Sequence, residues 1–277
     1  MSAPRRLRPT PLGDFDPFTP DAERPVRVRS RALNADTHFE PHSHAWGQLA
    51  YCATGIVQVM TVPQDATLQA VTYIVPPSRA VWIAPNIRHA VTVREAAELR
   101  TLYVHADATP RGWQDCRMIV VSSLLRELVQ AMDAATRRAA EPARDKLLAS
   151  LVLDELAHAD TQPLGVPLPR DKRLRALCEA VLNAPGERST LAQWAADTGA
   201  SERTVARLFR EELGTTYQRW RQQAVIAHAL PLLARGMPIG QVAAATGYAS
   251  DSAFSAMFKA AMGHAPTRWS SQSPGRA

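Results

Sequence analysis

Between residue 26 and about residue 106, apolar and polar positions alternate in short runs closed by Pro, Gly or Asn. The runs Val26–Ala32, Gln48–Cys52, Ile56–Val62, Ala70–Val75, Ala80–Ile83, His89–Val93 and Leu99–His105 predict seven strands. Strands this short and this regularly spaced favour a small barrel or sandwich, because an antiparallel sheet that closes on itself buries one face and removes its edges. The Pro-rich residues 1–25 read as an arm. The period then changes: Leu124, Leu125 and Leu128, then Leu148, Leu151, Val152 and Leu156, recur at helical spacing and predict amphipathic helices over Val121–Ala135 and Pro142–Ala159. These two leucine-faced helices, within residues 111–160, either pack on the barrel or form a dimer interface. Thr161–Pro169, with Pro163, Gly165, Pro167 and Pro169, reads as a linker ahead of an all-helical residues 170–277. The expected fold class is α+β, a β-barrel over residues 26–110 followed by helices.

The last third contains an internal repeat. Leu191, Trp194, Ala195, Ala196, Thr198 and Gly199 match Ile239, Val242, Ala243, Ala244, Thr246 and Gly247 at an offset of 48. One inserted residue then raises the offset to 49, which pairs Ser201 with Ser250, Val205 with Phe254, Phe209 with Phe258, Arg210 with Lys259, Gly214 with Gly263 and Trp220 with Trp269. Each copy has a short helix with small alanines, a Gly at a turn, and a serine that can cap a second helix, which is what a helix-turn-helix needs. A helix over Tyr217–Ala234 would span roughly 27 Å at 1.5 Å per residue, close to the roughly 34 Å between successive major grooves on one face of DNA. Pro231 should kink it. The aromatic positions of the repeat, Trp194, Phe209, Trp220, Phe258 and Trp269, read as core rather than as stacking platforms.

Charge sharpens this reading. Residues 170–277 carry 14 Lys and Arg against 8 Asp and Glu, whereas residues 1–169 hold 18 of each, so the whole net charge of +6 lies in the repeat. A basic segment beside a neutral one suits a polyanion. The three cysteines, Cys52, Cys116 and Cys178, are too few and too scattered for a disulfide framework and read as buried small residues. No apolar run of eighteen residues occurs, and Arg5, Arg6 and Arg8 precede no apolar segment of a signal peptide, so a cytoplasmic protein without a membrane partner is expected.

The repeat closely resembles the DNA-binding domain of the AraC/XylS family of regulators, above all in IGQVAAATGYASDSAFSAMFKAAMGHAP from Ile239 to Pro266. Val225 stands where the linking helix usually has Arg, and Pro231 where it often has a polar residue. The resemblance implies a sequence-specific transcription factor, a homodimer on operator or promoter DNA that also meets RNA polymerase. Arg203, Ala206 and Arg207 fall where the first recognition helix of relatives faces bases, and Asp251, Ser252 and Ala256 where the second does. An arginine fork can bind guanine O6 and N7 together; the second set offers little reach. Ser201, Thr204, Ser250, Ser252 and Ser255 are candidate donors to the DNA, and Arg210 and Lys259 candidate phosphate contacts.

Further upstream, PHSHAWGQLAYCATG from Pro41 to Gly55 resembles the first cupin motif, and Ala84-x-Asn86-x-x-His89 stands where cupins carry Pro-x-Gly-x-x-His. That resemblance makes the barrel cupin-like and implies that His42, His44, Gln48 and His89 converge inside it, the first three because even offsets on one strand share a face. HSHAWGQLAY with VPPSRAVWIAPNIRHAV also resembles a cupin-type subgroup of these regulators that includes regulators of neighbouring efflux genes. Gln48 replaces the usual Glu, so three imidazoles and an amide would leave an iron, zinc, manganese or nickel ion uncompensated and more weakly held. The other reading is a pocket walled by Trp46, Tyr51 and Trp82 that binds a small organic effector, or histidines with no ligand. A metal-dependent cupin enzyme with an appended DNA-binding module is the rival function; the missing carboxylate and the lack of a catalytic constellation argue against it.

Overall fold

The structure, a computed structural model, describes residues 9–270 apart from 14, 64, 66–68, 78, 136–140, 163, 188–189 and 199–200, and leaves the side chains of 16, 135, 194, 196–198 and 270 undescribed. Arg5, Arg6, Arg8, Pro163 and Gly199 therefore lie outside the described residues, as does the side chain of Trp194. Two compact units make up the chain, residues 1–62 with 75–163 and residues 63–74 with 164–277. As expected, strands dominate the N-terminal part and helices the C-terminal part.

The first unit is built on antiparallel strands β1 (Val26–Leu33), β2 (His38–His42), β3 (Gly47–Thr61), β5 (Arg79–Ile83), β6 (His89–Val104), β7 (Arg117–Val120) and β8 (Thr161–Gln162). Their order is β1-β6-β3-β5-β7-β8, with β2 also on β6. Two pairs of expected strands are each one long strand: Gln48–Cys52 with Ile56–Val62, and His89–Val93 with Leu99–His105. The break between them is a run of bulges, not a turn. The register slips between Cys52 and Val57, opposite Glu95–Glu98, so both strands bend at the same level. Gly55 makes the bend possible, with φ of +75° and so close an approach that a Cβ there would lie 2.1 Å from the Ala96 carbonyl oxygen. β2, β7 and β8 have no counterpart among the expected strands; each is five residues or shorter, too brief for a clear alternation.

The bend gives two half-sheets, and parity assigns their faces. On the half containing β1 and β5, Val26, Val28, Leu49, Tyr51, Ala80, Trp82, Leu102, Val104 and Ile119 share a core with Leu125, Leu128, Val129, Val152 and Leu156. These last five belong to α1 (Ser123–Ala135) and α2 (Pro142–Ala157), which cover that face. The alternate residues, among them Gln48, Ala50, Thr101 and Tyr103, point to the inner face. β5 is buried along both faces, which explains its unbroken apolar sequence.

In the second unit β4 (Ala70–Val75) pairs with β9 (Val166–Leu168), inside the segment expected to be a linker. Val166 and Leu168 are buried, while Pro167 lacks only a donor that an edge strand does not need. Helices α3 (Lys172–Asn183), α4 (Leu191–Thr198), α5 (Glu202–Leu213), α6 (Tyr217–Ala234), α7 (Ile239–Ala245), α8 (Asp251–Met262) and α9 (Thr267–Ser270) follow. α6 has the expected bounds, and only three residues of it lie beyond Pro231. Phe209, Tyr217 and Trp220 form one aromatic core, with ring centroids 5.4 Å and 5.8 Å apart for Phe209 to each neighbour. Phe254, Phe258 and Trp269 form the corresponding one. All six are buried, as core positions should be.

Candidate DNA interface and sensor site

The two copies of the repeat are α4–α5 and α7–α8, and they share their local chemistry. Ser201 Oγ accepts the Thr204 N–H at 3.1 Å, and Ser250 Oγ accepts the Ala253 N–H at 3.2 Å, so each second helix starts on a serine cap. Each ends on a left-handed glycine, Gly214 at φ +62° and Gly263 at φ +78°. α6 joins the copies, and Arg221 on it donates to the carbonyls of Pro185 (3.0 Å) and Thr246 (3.1 Å), fastening the turn of the second copy to the end of α3.

Arg203, Arg207, Arg210, Ser250, Asp251, Ser252 and Lys259 are exposed, and Thr204, Ala206 and Ser255 half-buried. The candidates are not all unengaged. Arg207 Nη1 bonds the Glu211 carboxylate one turn on, at 2.7 Å to one oxygen, and Thr204 and Ser201 hydroxyls bond each other at 2.8 Å. The Asp251 carboxylate lies beside Gly240, where a Cβ would come within 3.2 Å of it, so it lies against α7. A cavity of about 550 Å³ opens between α5, α6 and the second turn, lined by Glu202, Arg210, Tyr217, Arg221 and Tyr248 among others.

In the first unit His42, His44, Gln48 and His89 do come together, but not along one strand. His42 closes β2, His44 lies in the turn, Gln48 opens β3 and His89 opens β6. Ring nitrogens of the three histidines lie within 4.8 Å of one another. The turn carrying His44 is tied to the one before β6, since the Asn86 N–H donates to the His44 carbonyl at 2.8 Å. Asn86 has φ of +64°. Asparagine is the side chain that best tolerates this left-handed backbone after glycine, which accounts for its presence where the cupin pattern has Gly.

Each imidazole is oriented in the same way. Nδ1 faces a backbone carbonyl, that of Glu40 for His42 (2.8 Å), Trp46 for His44 (2.7 Å) and Ile87 for His89 (3.0 Å). Nδ1 therefore carries the proton in His42 and His89, which leaves their Nε2 lone pairs for the site, whereas His44 is engaged through both ring nitrogens, Nε2 by the Gln48 amide. His44 Nε2 lies 2.7 Å from Gln48 Oε1, and His89 Nε2 is buried without a partner. Burial lowers the proton affinity of all three rings, that of His89 to about 3, so they are neutral at pH 7.

Of the three expected walls, only Trp46 is one. It stacks on His44 with centroids 5.1 Å apart. Tyr51 and Trp82 sit on the opposite face, in the core under α1 and α2, because they differ from Gln48 and Ile83 by an odd number of positions along their strands. Tyr103 and Phe15 take their places: Tyr103 stands 6.1 Å from His44 and 6.0 Å from Trp46, and Phe15 packs edge-on against both Trp46 and Tyr103. Three arginines missed from the sequence, Arg27, Arg29 and Arg31, alternate along β1 with Val26 and Val28 and therefore project from the face that carries Tyr103. That alternation was visible in VRVRSRAL.

Comparison with known proteins accords with both halves. Residues 24–152 match the AraC-like ligand binding domain and residues 194–272 a helix-turn-helix domain. The HTH-type transcriptional regulator NimR of Escherichia coli is 33% identical over 229 residues, 82% of this chain and 81% of that protein. The HTH-type transcriptional regulator RipA of Corynebacterium glutamicum is 30% identical over 101 residues, 36% of this chain and 30% of that one. Crystalline ToxT from Vibrio cholerae O395 aligns over 91% of this chain and 99% of its own at 13% identity and a TM-score of 0.37. A relative one third identical across four fifths of both chains, a matched ligand-binding domain and paired helix-turn-helix units together make this chain a member of the AraC/XylS family of transcriptional regulators.

Proposed function

We propose that this regulator is controlled from the histidine site, and that a divalent transition ion is the group held there. The carrying observation is the convergence of His42, His44 and His89, with each Nδ1 on a backbone carbonyl and the three rings' candidate ligand nitrogens within 4.8 Å of one another. Neutral nitrogen donors suit zinc, nickel or iron better than magnesium or calcium, and Gln48 Oε1 would add a fourth, uncharged donor. The ion would supply positive charge and cross-link the start of β6, the end of β2 and the turn between β2 and β3. That arrangement favours a sensor over an enzyme, since among the described residues no carboxylate accompanies the histidines and reversible binding is what a sensor needs.

The basic second unit would bind the operator, with Arg203 and Arg207 reading bases and Arg210, Lys259 and the cap serines contacting the backbone. Leu124, Leu147 and Leu151 are 50%, 68% and 48% exposed on α1 and α2, which supports a homodimer through these helices. A ligand shifts the balance between DNA-binding arrangements only by its differential affinity for them. The test is titration of the purified protein against DNA upstream of its own and adjacent genes, with zinc, nickel or iron added and with chelator. Tight, sequence-specific binding that changes with metal and ceases to change in His44→Ala supports the reading; identical binding in all conditions refutes metal control.

A further inference from the structure

The two copies of the repeat are held together by more than the helix that joins them. α3 is tied to the first copy at its start, where the Glu212 carboxylate at the end of α5 accepts the N–H of Arg170 at 2.6 Å and that of Asp171 at 3.1 Å. At its other end α3 runs into Pro185 and Gly186, and there the chain meets the turn of the second copy. A Cβ on Gly186 would lie 2.8 Å from the Ala245 carbonyl oxygen, and one on Gly247 would lie 3.0 Å from the Gly186 Cα. Backbone touches backbone here, and neither glycine could gain a side chain without displacing the other segment.

Arg221 closes this contact from α6. Its Nη2 donates to the carbonyls of Pro185 at 3.0 Å and Thr246 at 3.1 Å, the first just past the C-terminal end of α3 and the second at the cap of α7. Helix C-termini leave carbonyls unmet and carry partial negative charge, so one cation suits both ends. The same guanidinium stands 5.9 Å over the Tyr248 ring. Tyr248 in turn packs edge-on against Phe254, in the first turn of α8, with centroids 5.8 Å apart. A continuous series of contacts therefore runs from one recognition helix to the other, from α5 through Glu212, α3 and Arg221 to Tyr248 and Phe254. It goes round the cavity of about 550 Å³ between α5 and the second turn rather than across it. Nor is the clamp part of the repeated module, since the offset of 49 puts Ser270 where the first copy has Arg221.

We propose that Arg221 is a positioning residue that sets the spacing between the two DNA segments this chain reads. It acts through Thr246 and Tyr248, by fixing how far and at what angle α8 stands from α5. Rigidly held units fit one separation, because an extra base pair moves the second segment by about 3.4 Å along the axis and by about a tenth of a turn around it. Units that swing can follow the shift, but they lose the advantage of being held ready for both contacts at once. The inference rests on both copies meeting DNA, as proposed above through Arg203 and Lys259, and does not require the metal.

Random-site selection with the full wild-type chain supplies the duplex, and versions with one base pair added or removed between the two selected segments supply a spacing series. The wild type should bind the altered spacings about tenfold less tightly. Arg221→Met should bind the selected spacing about tenfold less tightly than wild type, through the lost charge-assisted bonds, and the altered spacings nearly as tightly as the selected one. Arg221→Lys should keep part of the discrimination, while Gly186→Ala, which wedges the same contact apart, should lose it with Arg221 intact. Should Arg221→Met melt early, Arg221→Lys and Gly186→Ala decide on the same ratio. A spacing ratio unchanged in variants that melt as wild type overturns the proposal. So does an equal loss at every spacing with a salt dependence reduced by about one ion, which would make Arg221 a phosphate contact. Sequence selection without any spacing preference in the wild type removes this inference alone, whereas a wild type that selects no sequence removes the base reading by Arg203 and Arg207 with it.

Discussion

At the scale of single residues the sensor is governed by proton placement. His89 is fully buried, and its imidazole, near 6.5 when unfolded, titrates at about 3 in the fold. Between those values the unfolded chain binds a proton that the folded chain refuses, so stability is complete above about pH 6.5 and declines as the pH falls toward 3. Urea unfolding of the chelator-treated protein at pH 7 and pH 5 should show a lower midpoint at pH 5. His89→Gln should lose part of that dependence, and an equal fall in variant and wild type would show that His89 is not responsible. On the DNA side, Arg207→Ala should alter sequence preference in a randomised-site selection more than Ser252→Ala does, because only the guanidinium can make a forked bond to a base. Its pairing with Glu211 adds a condition: that bond has to loosen or turn outward, so Glu211→Ala should strengthen overall DNA binding, by removing both a competitor and a negative charge.

At the scale of elements, the most legible features were those repeated within the chain. The serine caps, the glycine stops and the aromatic cores of the two copies were all present in the self-match, since capping and packing are local and recur with the sequence. The histidine site was legible as a set of residues, but not in how its first motif is assembled: even offsets suggest one strand for His42, His44 and Gln48, whereas His42 closes β2, His44 lies in the turn and Gln48 is on β3. Register across strands leaves no mark in a single sequence, and so Tyr103, directly opposite Gln48, went unseen. Gly55 was read as the end of a strand; its positive φ is used in a bend instead. Gly55→Ala should cost more than about 2 kcal/mol, from a left-handed backbone and a clash with the Ala96 carbonyl. Gly214→Ala, at φ +62° but with nothing within 4 Å of the new Cβ, should cost about 1 kcal/mol. Chemical denaturation of the two variants compares them directly, and equal losses would deny the close approach.

For the molecule as a whole, the exposed leucines of α1 and α2 define an expectation about assembly. Leu147 and Leu151 are one turn apart on α2, and replacing both by Glu should place like charges on a face that a second copy would bury. If the proposed homodimer uses this face, analytical ultracentrifugation should find a dimer for the wild type and a monomer for the variant, with unchanged helix content; an unaltered mass would remove these helices from the interface.

The pairing of β4 with β9 carries a further consequence for anyone who recombines such regulators. Residues 63–74 cluster with the second unit although they lie early in the chain, and Gly165 fits under Val71 and Tyr73 so tightly that a Cβ there would approach Val71 to 2.7 Å. A chimaera made at a single junction near residue 163 would join a donor's β4 to a recipient's β9, two strands never selected to match. Exchange of sensors between relatives therefore calls for junctions that take β4 and β9 from the same parent.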